Sequence, residues 1–134
     1  MKSATREWVR KAEADHRAAE RLAAGRDRLH DQTCFFCQQS AEKYLKALLE
    51  ELGQTIPRIH YLEELLDRLL PFHRSLRLFR RGLIFLTPFA VDTRYPGDDA
   101  SKRQAAAALR WAGRVRDACR AILGVRAPRR RKSP

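Results

Sequence analysis

The chain has 134 residues, of which 44% are hydrophobic and 33% charged, and its formal net charge is +12. That length favours one domain able to bury a core of its own, and the apolar content excludes a disordered chain. The longest apolar run falls far short of the roughly 20 residues that span a bilayer. A positive surplus of this size attracts polyanions, whether nucleic acid, nucleotide phosphates or an acidic partner; an Arg-rich surface of no binding significance is the competing explanation. The start, Met1 to Arg6, leads into an amphipathic helix and not into an apolar leader, so a cytoplasmic protein is expected. Three cysteines without framework spacing fit a reducing compartment.

Ala, Leu, Arg and Glu dominate, all good helix formers. No strand-length alternation of apolar and polar residues occurs, so the fold class expected is all-α. The first helix is expected from Thr5 to Ala24, with Thr5 as N-cap and Gly25 as stop. Trp8, Ala12, Asp15, Ala19 and Leu22 share one face of it at alternating steps of four and three. The second helix, Asp31 to Leu52, carries the stripe Cys34, Cys37, Ala41, Leu45, Leu48 and Leu52, and Gly53 and Pro57 end it. A third helix is expected from His60 to Leu70, with Leu62, Leu65, Leu66 and Leu69 inward and His60 as a cap. A fourth, Phe72 to Leu86, has the stripe Leu76, Phe79, Leu83 and Leu86 and is closed by Pro88. The longest loop, Phe89 to Ala100, follows. The fifth helix runs from Ser101 to Leu123 with Ala105, Ala108, Leu109, Ala112, Val115, Cys119 and Ile122 inward and Gly124 as stop. Short connections imply an up-and-down four-helix bundle with one additional short helix over residues 1–124. Residues 125–134 form a basic tail that lacks apolar residues to order it. Arg126, Arg129, Arg130, Arg131 and Lys132 place five positive charges there and leave +7 on the body.

Chemistry concentrates at a few places. On the second helix Phe35, Gln39, Glu42 and Lys46 form a band beside the core stripe, with Gln38 between the two. This band is either a solvated face with an i,i+4 Glu42–Lys46 pair, or a polar groove or dimer seam. Asp15 lies on the apolar stripe of the first helix, where a carboxylate needs a partner; Lys46 and Arg94 are the candidates. Cys34 and Cys37 fall on a core stripe with no second Cys/His pair at zinc spacing, so buried thiols are expected and no metal or cofactor is implied. Arg94 sits in the long loop just before a helix N-terminus, where guanidinium and N–H groups can converge on a phosphate and Tyr95 can stack on a base. The alternative there is a loop anchored by Arg94 to Asp15, Asp98 or Asp99 with Tyr95 as a packing lid. The tail cations Arg129, Arg130, Arg131 and Lys132 suit phosphate contacts without sequence preference.

The stretch Phe36 to Lys46, with Gln38-Gln39, Glu42-Lys43 and Lys46, resembles the Gln-Gln-x-x-Glu-Lys-x-x-Lys signature of the HEPN family. Gly53, Pro57 and Ile59-His60-Tyr61-Leu62 resemble that family's Gly…Pro…Thr-His-Asp-Leu segment, with Ile and Tyr replacing Thr and Asp. Arg94-Tyr95-Pro96 resembles its Arg-Tyr-Pro loop, and Trp8 and Asp15 fit its first helix. The likeness extends from about Glu7 to Leu123. It implies a helical bundle, frequent homodimers, a role in nucleotide or RNA transactions, and pairing with a separately encoded nucleotidyltransferase in toxin–antitoxin-like modules. Some members of the family are metal-independent endoribonucleases with Arg-x(4–6)-His at the last core helix. Here Arg10–His16 and Arg68–His73 have that spacing, but neither lies at the place the resemblance implies, and no His follows Arg94. The expectation is therefore a non-catalytic protein that binds nucleotide or RNA phosphates. The endoribonuclease is the alternative, and a non-specific nucleic-acid-binding protein a weaker one.

Overall fold

The computed structural model describes residues 1–91 and 95–125. Arg94 and the tail over 126–134, Arg129, Arg130, Arg131 and Lys132 included, lie outside the described residues. Five α-helices carry the fold: α1 (Ser3–Ala24), α2 (His30–Glu51), α3 (Leu62–Leu69), α4 (Arg80–Leu86) and α5 (Lys102–Leu123). Short 3₁₀ segments at Arg74–Phe79 and Thr87–Ala90 flank α4. Among the described residues there is no strand, and no helix is long and apolar enough to cross a membrane.

The long helix α2 is the axis. Thirteen of its 22 residues are buried, because α1 packs on one side of it and α5 on another. Ala105, Ala108 and Ala112 of α5 are buried, and side chains so small let the two backbones approach closely. Gly53 ends α2 with φ of +71°, a conformation that costs a side-chain-bearing residue more than glycine. The chain then returns through residues 53–61 to a hairpin of α3 and α4. Leu62, Leu65, Leu66, Leu69, Leu76, Leu83 and Leu86 of that region are all buried, as their spacing predicts. Thr87 pins the hairpin: its hydroxyl accepts from the Leu62 N–H at 3.0 Å and donates to Glu63 at 2.8 Å. The start of α5 is tied to the start of α2, where Ala100 N–H donates to Asp31 at 2.6 Å.

Several boundaries differ from the sequence expectation. Thr5 is not a cap; it lies buried in the first turn and donates to Glu51 at 2.9 Å, beside the Lys2 backbone N–H bonded to the same carboxylate. The buried stripe of α1 is Thr5, Val9, Ala12, His16 and Ala19, one position round from the stripe expected. Trp8 and Asp15 flank it, because α1 faces both α2 and α5. The expected third helix starts late, at Leu62, and the fourth begins as 3₁₀ and turns α-helical only at Arg80. The start of α5 carries a full capping box: Gln104 N–H donates to the Ser101 hydroxyl at 3.0 Å, and Ser101 N–H to the Gln104 side chain at 2.8 Å.

Candidate functional site

The polar band of α2 is not a solvated face. Gln38, Glu42 and Lys46 are all buried. Glu42 accepts from Gln38 at 3.2 Å, from Lys46 at 3.1 Å and pairs with His60 Nδ1 at 2.8 Å. Gln38 also donates to the His60 carbonyl at 3.3 Å and accepts from Gln39 at 2.7 Å. Lys46 stands 5.9 Å from the centroid of the Trp8 ring, within cation–π range. His60 is thus a partner of Glu42 and not a helix cap; the N-cap of α3 is Tyr61. The cluster satisfies its own charges and staples the returning chain to α2. It also covers the band within one chain, which removes one of the reasons the sequence gives for expecting a second copy there.

Asp15 pairs with Lys43, not with Lys46. A neighbouring knot joins three helices. Arg116 of α5 grips Glu13 of α1 through Nε at 2.7 Å and Nη2 at 2.6 Å; Tyr44 of α2 donates to the same carboxylate, and Arg120 lies 3.6 Å from it. Burial pushes the Glu13 carboxyl up, but the bonds from Arg116 and Tyr44 and the two guanidinium charges outweigh it, holding its pKa at about 2. Burial, and then the Glu13 carboxylate, push the Tyr44 phenol up, so it remains a donor.

Of the residues the sequence offers for phosphate, Glu42 and Lys46 are brought together but spend their charges on each other, and Asp15 is held in a separate pair. Tyr95 is 63% exposed, in a turn closed by Asp98 N–H on its carbonyl at 3.2 Å. The capping box engages the Gln104 N–H at the start of α5, so fewer N–H groups there are available to an anion than the sequence alone implies.

Of the two Arg–His pairs at that spacing, the first is split between surface and interior. Arg10 is exposed and pairs with Glu7, whereas His16 is buried one and a half turns on, its ring facing Gly113 of α5. Burial lowers the His16 pKa, the nearby Arg116 acts in the same direction, and Glu20, Glu13 and Asp117 oppose them. His16 Nδ1 has no hydrogen-bond partner among the described residues. An imidazole kept neutral inside the fold costs stability as pH falls below about 6.5, where the unfolded chain gains a proton that the folded chain refuses. His16→Leu should therefore leave stability at pH 7 within about 1 kcal/mol of wild type or raise it. It should also flatten the loss between pH 6.5 and 5 in urea melts; a loss of several kcal/mol at pH 7 would contradict this account. Cys34, Cys37 and Cys119 are buried free thiols, and burial pushes Cys34 to about 11 and Cys37 to about 12. No group of three metal-ligating side chains occurs among the described residues.

A basic groove, separate from these clusters, has no counterpart in the sequence motifs. On the face shared by α4 and α5, Arg77, Arg80, Arg81 and Arg114 surround a groove of about 820 Å³ floored by Trp111. Arg114 stacks over the Trp111 ring at 5.3 Å. The ring lies on Gly82, where a Cβ would come within 2.1 Å of it. Only Arg80 has a carboxylate partner among the described residues, Asp67 at 2.6 Å. Leu78 and Ile84 flank the groove and are 70% and 51% exposed. Phe85 of α4 is half-buried in an edge-on contact with Phe89 at 5.4 Å. Arg77, Arg80 and Arg81 are close in the chain, but Arg114 and the Trp111 floor lie about thirty positions on, so no local motif announces the whole groove.

The HEPN domain profile matches residues 5–122. Two solved structures share the fold. TT1696 from Thermus thermophilus superposes with a TM-score of 0.77 at 24% identity, over 90% of this chain and 98% of that one. ST0689, an archaeal HEPN homologue, superposes with a TM-score of 0.73 at 24% identity, over 92% of this chain and 99% of that one. No curated protein matches the chain. With the family's domain matched over nearly the whole helical body, the chain belongs to the HEPN family.

Proposed function

We propose that this HEPN-domain protein is a non-catalytic module that binds RNA or nucleotide phosphates. In this reading it works as a homodimer beside a nucleotidyltransferase partner in a toxin–antitoxin-like pair. The observation that carries the binding is the α4–α5 groove, where three guanidinium groups, Arg77, Arg81 and Arg114, have no carboxylate partner among the described residues and stand around an aromatic floor. Guanidinium groups suit phosphate oxygens, and aromatic and guanidinium planes suit single-stranded bases. The non-catalytic reading is supported by the separation of Arg10 from His16. The partner and the two-gene arrangement rest on the family resemblance. Exposed Ile84 on α4 is an apolar residue available to a second copy, and light scattering across micromolar concentrations tests for the dimer.

Titration of labelled single-stranded RNA tests the binding. Arg81→Ala with Arg114→Ala should weaken it by about one to two decades and lower the salt slope by about 0.7 for each phosphate no longer neutralised. Arg94→Ala should weaken it also, as its loop position in the sequence suggests. Unchanged affinity in a folded double variant would remove the groove from the reading. RNA cleavage without metal, abolished by His16→Ala or His73→Ala, would replace the whole proposal with the ribonuclease alternative.

A further inference from the structure

A second recess lies where α1 gives way to α2. It has a volume of about 380 Å³ and is lined by Arg26, Asp27 and Arg28 of the connection, His30 at the start of α2 and Lys102 at the start of α5, with Leu22 at its apolar side. We propose that this pocket binds a phosphate monoester, the chemistry shared by a nucleotide's terminal phosphate and an RNA 5′ end.

Three permanent cations face this space against a single carboxylate, an excess of two. Among the described residues none of the three has an ion-pair partner, unlike Lys43, Lys46, Arg80 and Arg116 elsewhere in the fold. Cations gathered around a recess repel one another, and a compact dianion relieves that repulsion while accepting from guanidinium forks. The volume lies near the lower end of the range for small-molecule sites, enough for a compact ligand. The arrangement is also fixed. The bond from Ala100 N–H to Asp31 holds the start of α5 against the first turn of α2, so Lys102 is delivered to the same place as Arg28 and His30. Leu29 at the N-cap of α2 supplies no side-chain oxygen to that helix end, and the carboxylate of its first turn, Asp31, is engaged by the Ala100 N–H. The pocket shares no residue with the α4–α5 groove, so it stands or falls separately from that reading.

The test uses the ¹⁵N-labelled full chain. Inorganic phosphate and AMP should shift the backbone amides of Arg28, His30 and Lys102, and adenosine should not. Arg28→Ser with Lys102→Ser should weaken AMP binding at least tenfold; Arg26→Ser alone should weaken it less and serves where the double variant loses its fold. Arg81→Ala with Arg114→Ala should leave the AMP shifts unchanged. A 5′-phosphorylated oligonucleotide that outcompetes both AMP and its 5′-hydroxyl counterpart would identify the RNA end as the source, and the reverse order a free nucleotide. Equal shifts from adenosine, shifts confined to other amides, or wild-type affinity in a folded variant would overturn the proposal.

Discussion

Glu13→Gln should lower stability at pH 7 by about 2 kcal/mol, below the roughly 3–5 kcal/mol typical of a broken buried pair because Glu13 retains some exposure. Glutamine keeps the shape and one acceptor but removes the charge that Arg116 grips through two nitrogens and that Tyr44 and Arg120 also approach. The three groups and Glu13 span three helices, so one substitution loosens α1, α2 and α5 together. The pH dependence separates this account from weakened packing. The Glu13 pKa is held at about 2 in the fold against 4.5 as the ordinary value, so its stabilisation is complete above pH 4.5. It fades as pH falls towards 2, because the unfolded chain takes up the proton first. Urea melts of wild type and variant should differ by a constant amount from pH 7 to 5 and converge only at about pH 2 and below. A gap that stays constant down to pH 3 would show that charge is not what the carboxylate contributes.

How much of the molecule is legible in its sequence depends on whether a feature is local. The leucines of α3 occupy an unambiguous helical stripe, and all four are buried. The Ala-rich face of α5 and its glycine stop are likewise local, as is the Gln-Gln…Glu-Lys…Lys signature. On α1 two adjacent stripes compete, Trp8-Asp15-Leu22 and Thr5-Val9-His16, each containing polar residues. Which is inward is decided by where α2 and α5 sit, and the sequence of α1 alone does not encode that. Helical spacing brings Lys46 to Glu42, but the choice of Lys43 rather than Lys46 for Asp15 depends on the register between α1 and α2. The α4–α5 groove is hidden in the sequence for the same reason. Its arginines are ordinary surface residues on each helix taken alone, and only the packing of Trp111 on Gly82 brings them round one floor.

That packing yields the second large effect. Gly82→Ala should destabilise the protein by about 2–3 kcal/mol, although alanine in a helix interior is ordinarily favoured over glycine by about 1 kcal/mol. The added methyl would stand 2.1 Å from the Trp111 ring, well inside contact distance, and two more ring atoms lie at 2.2 and 2.8 Å. Gly82 is buried in α4, so the clash cannot be relieved by swinging the methyl into solvent. The ring must lift, carrying Arg114 away from its stacked position, or α4 must move off α5. Overpacking thus outweighs propensity. Combining the substitution with Trp111→Leu should recover part of the loss, and a double-mutant cycle should give a coupling of about 1 kcal/mol or more. In a Trp8→Phe background Trp111 is the sole tryptophan, and its emission should shift to the red in Gly82→Ala as the ring becomes wetter. Should Gly82→Ala prove as stable as wild type with unchanged emission, the close seat of Trp111 on α4 would be wrong, and with it the floor on which the groove's cations depend.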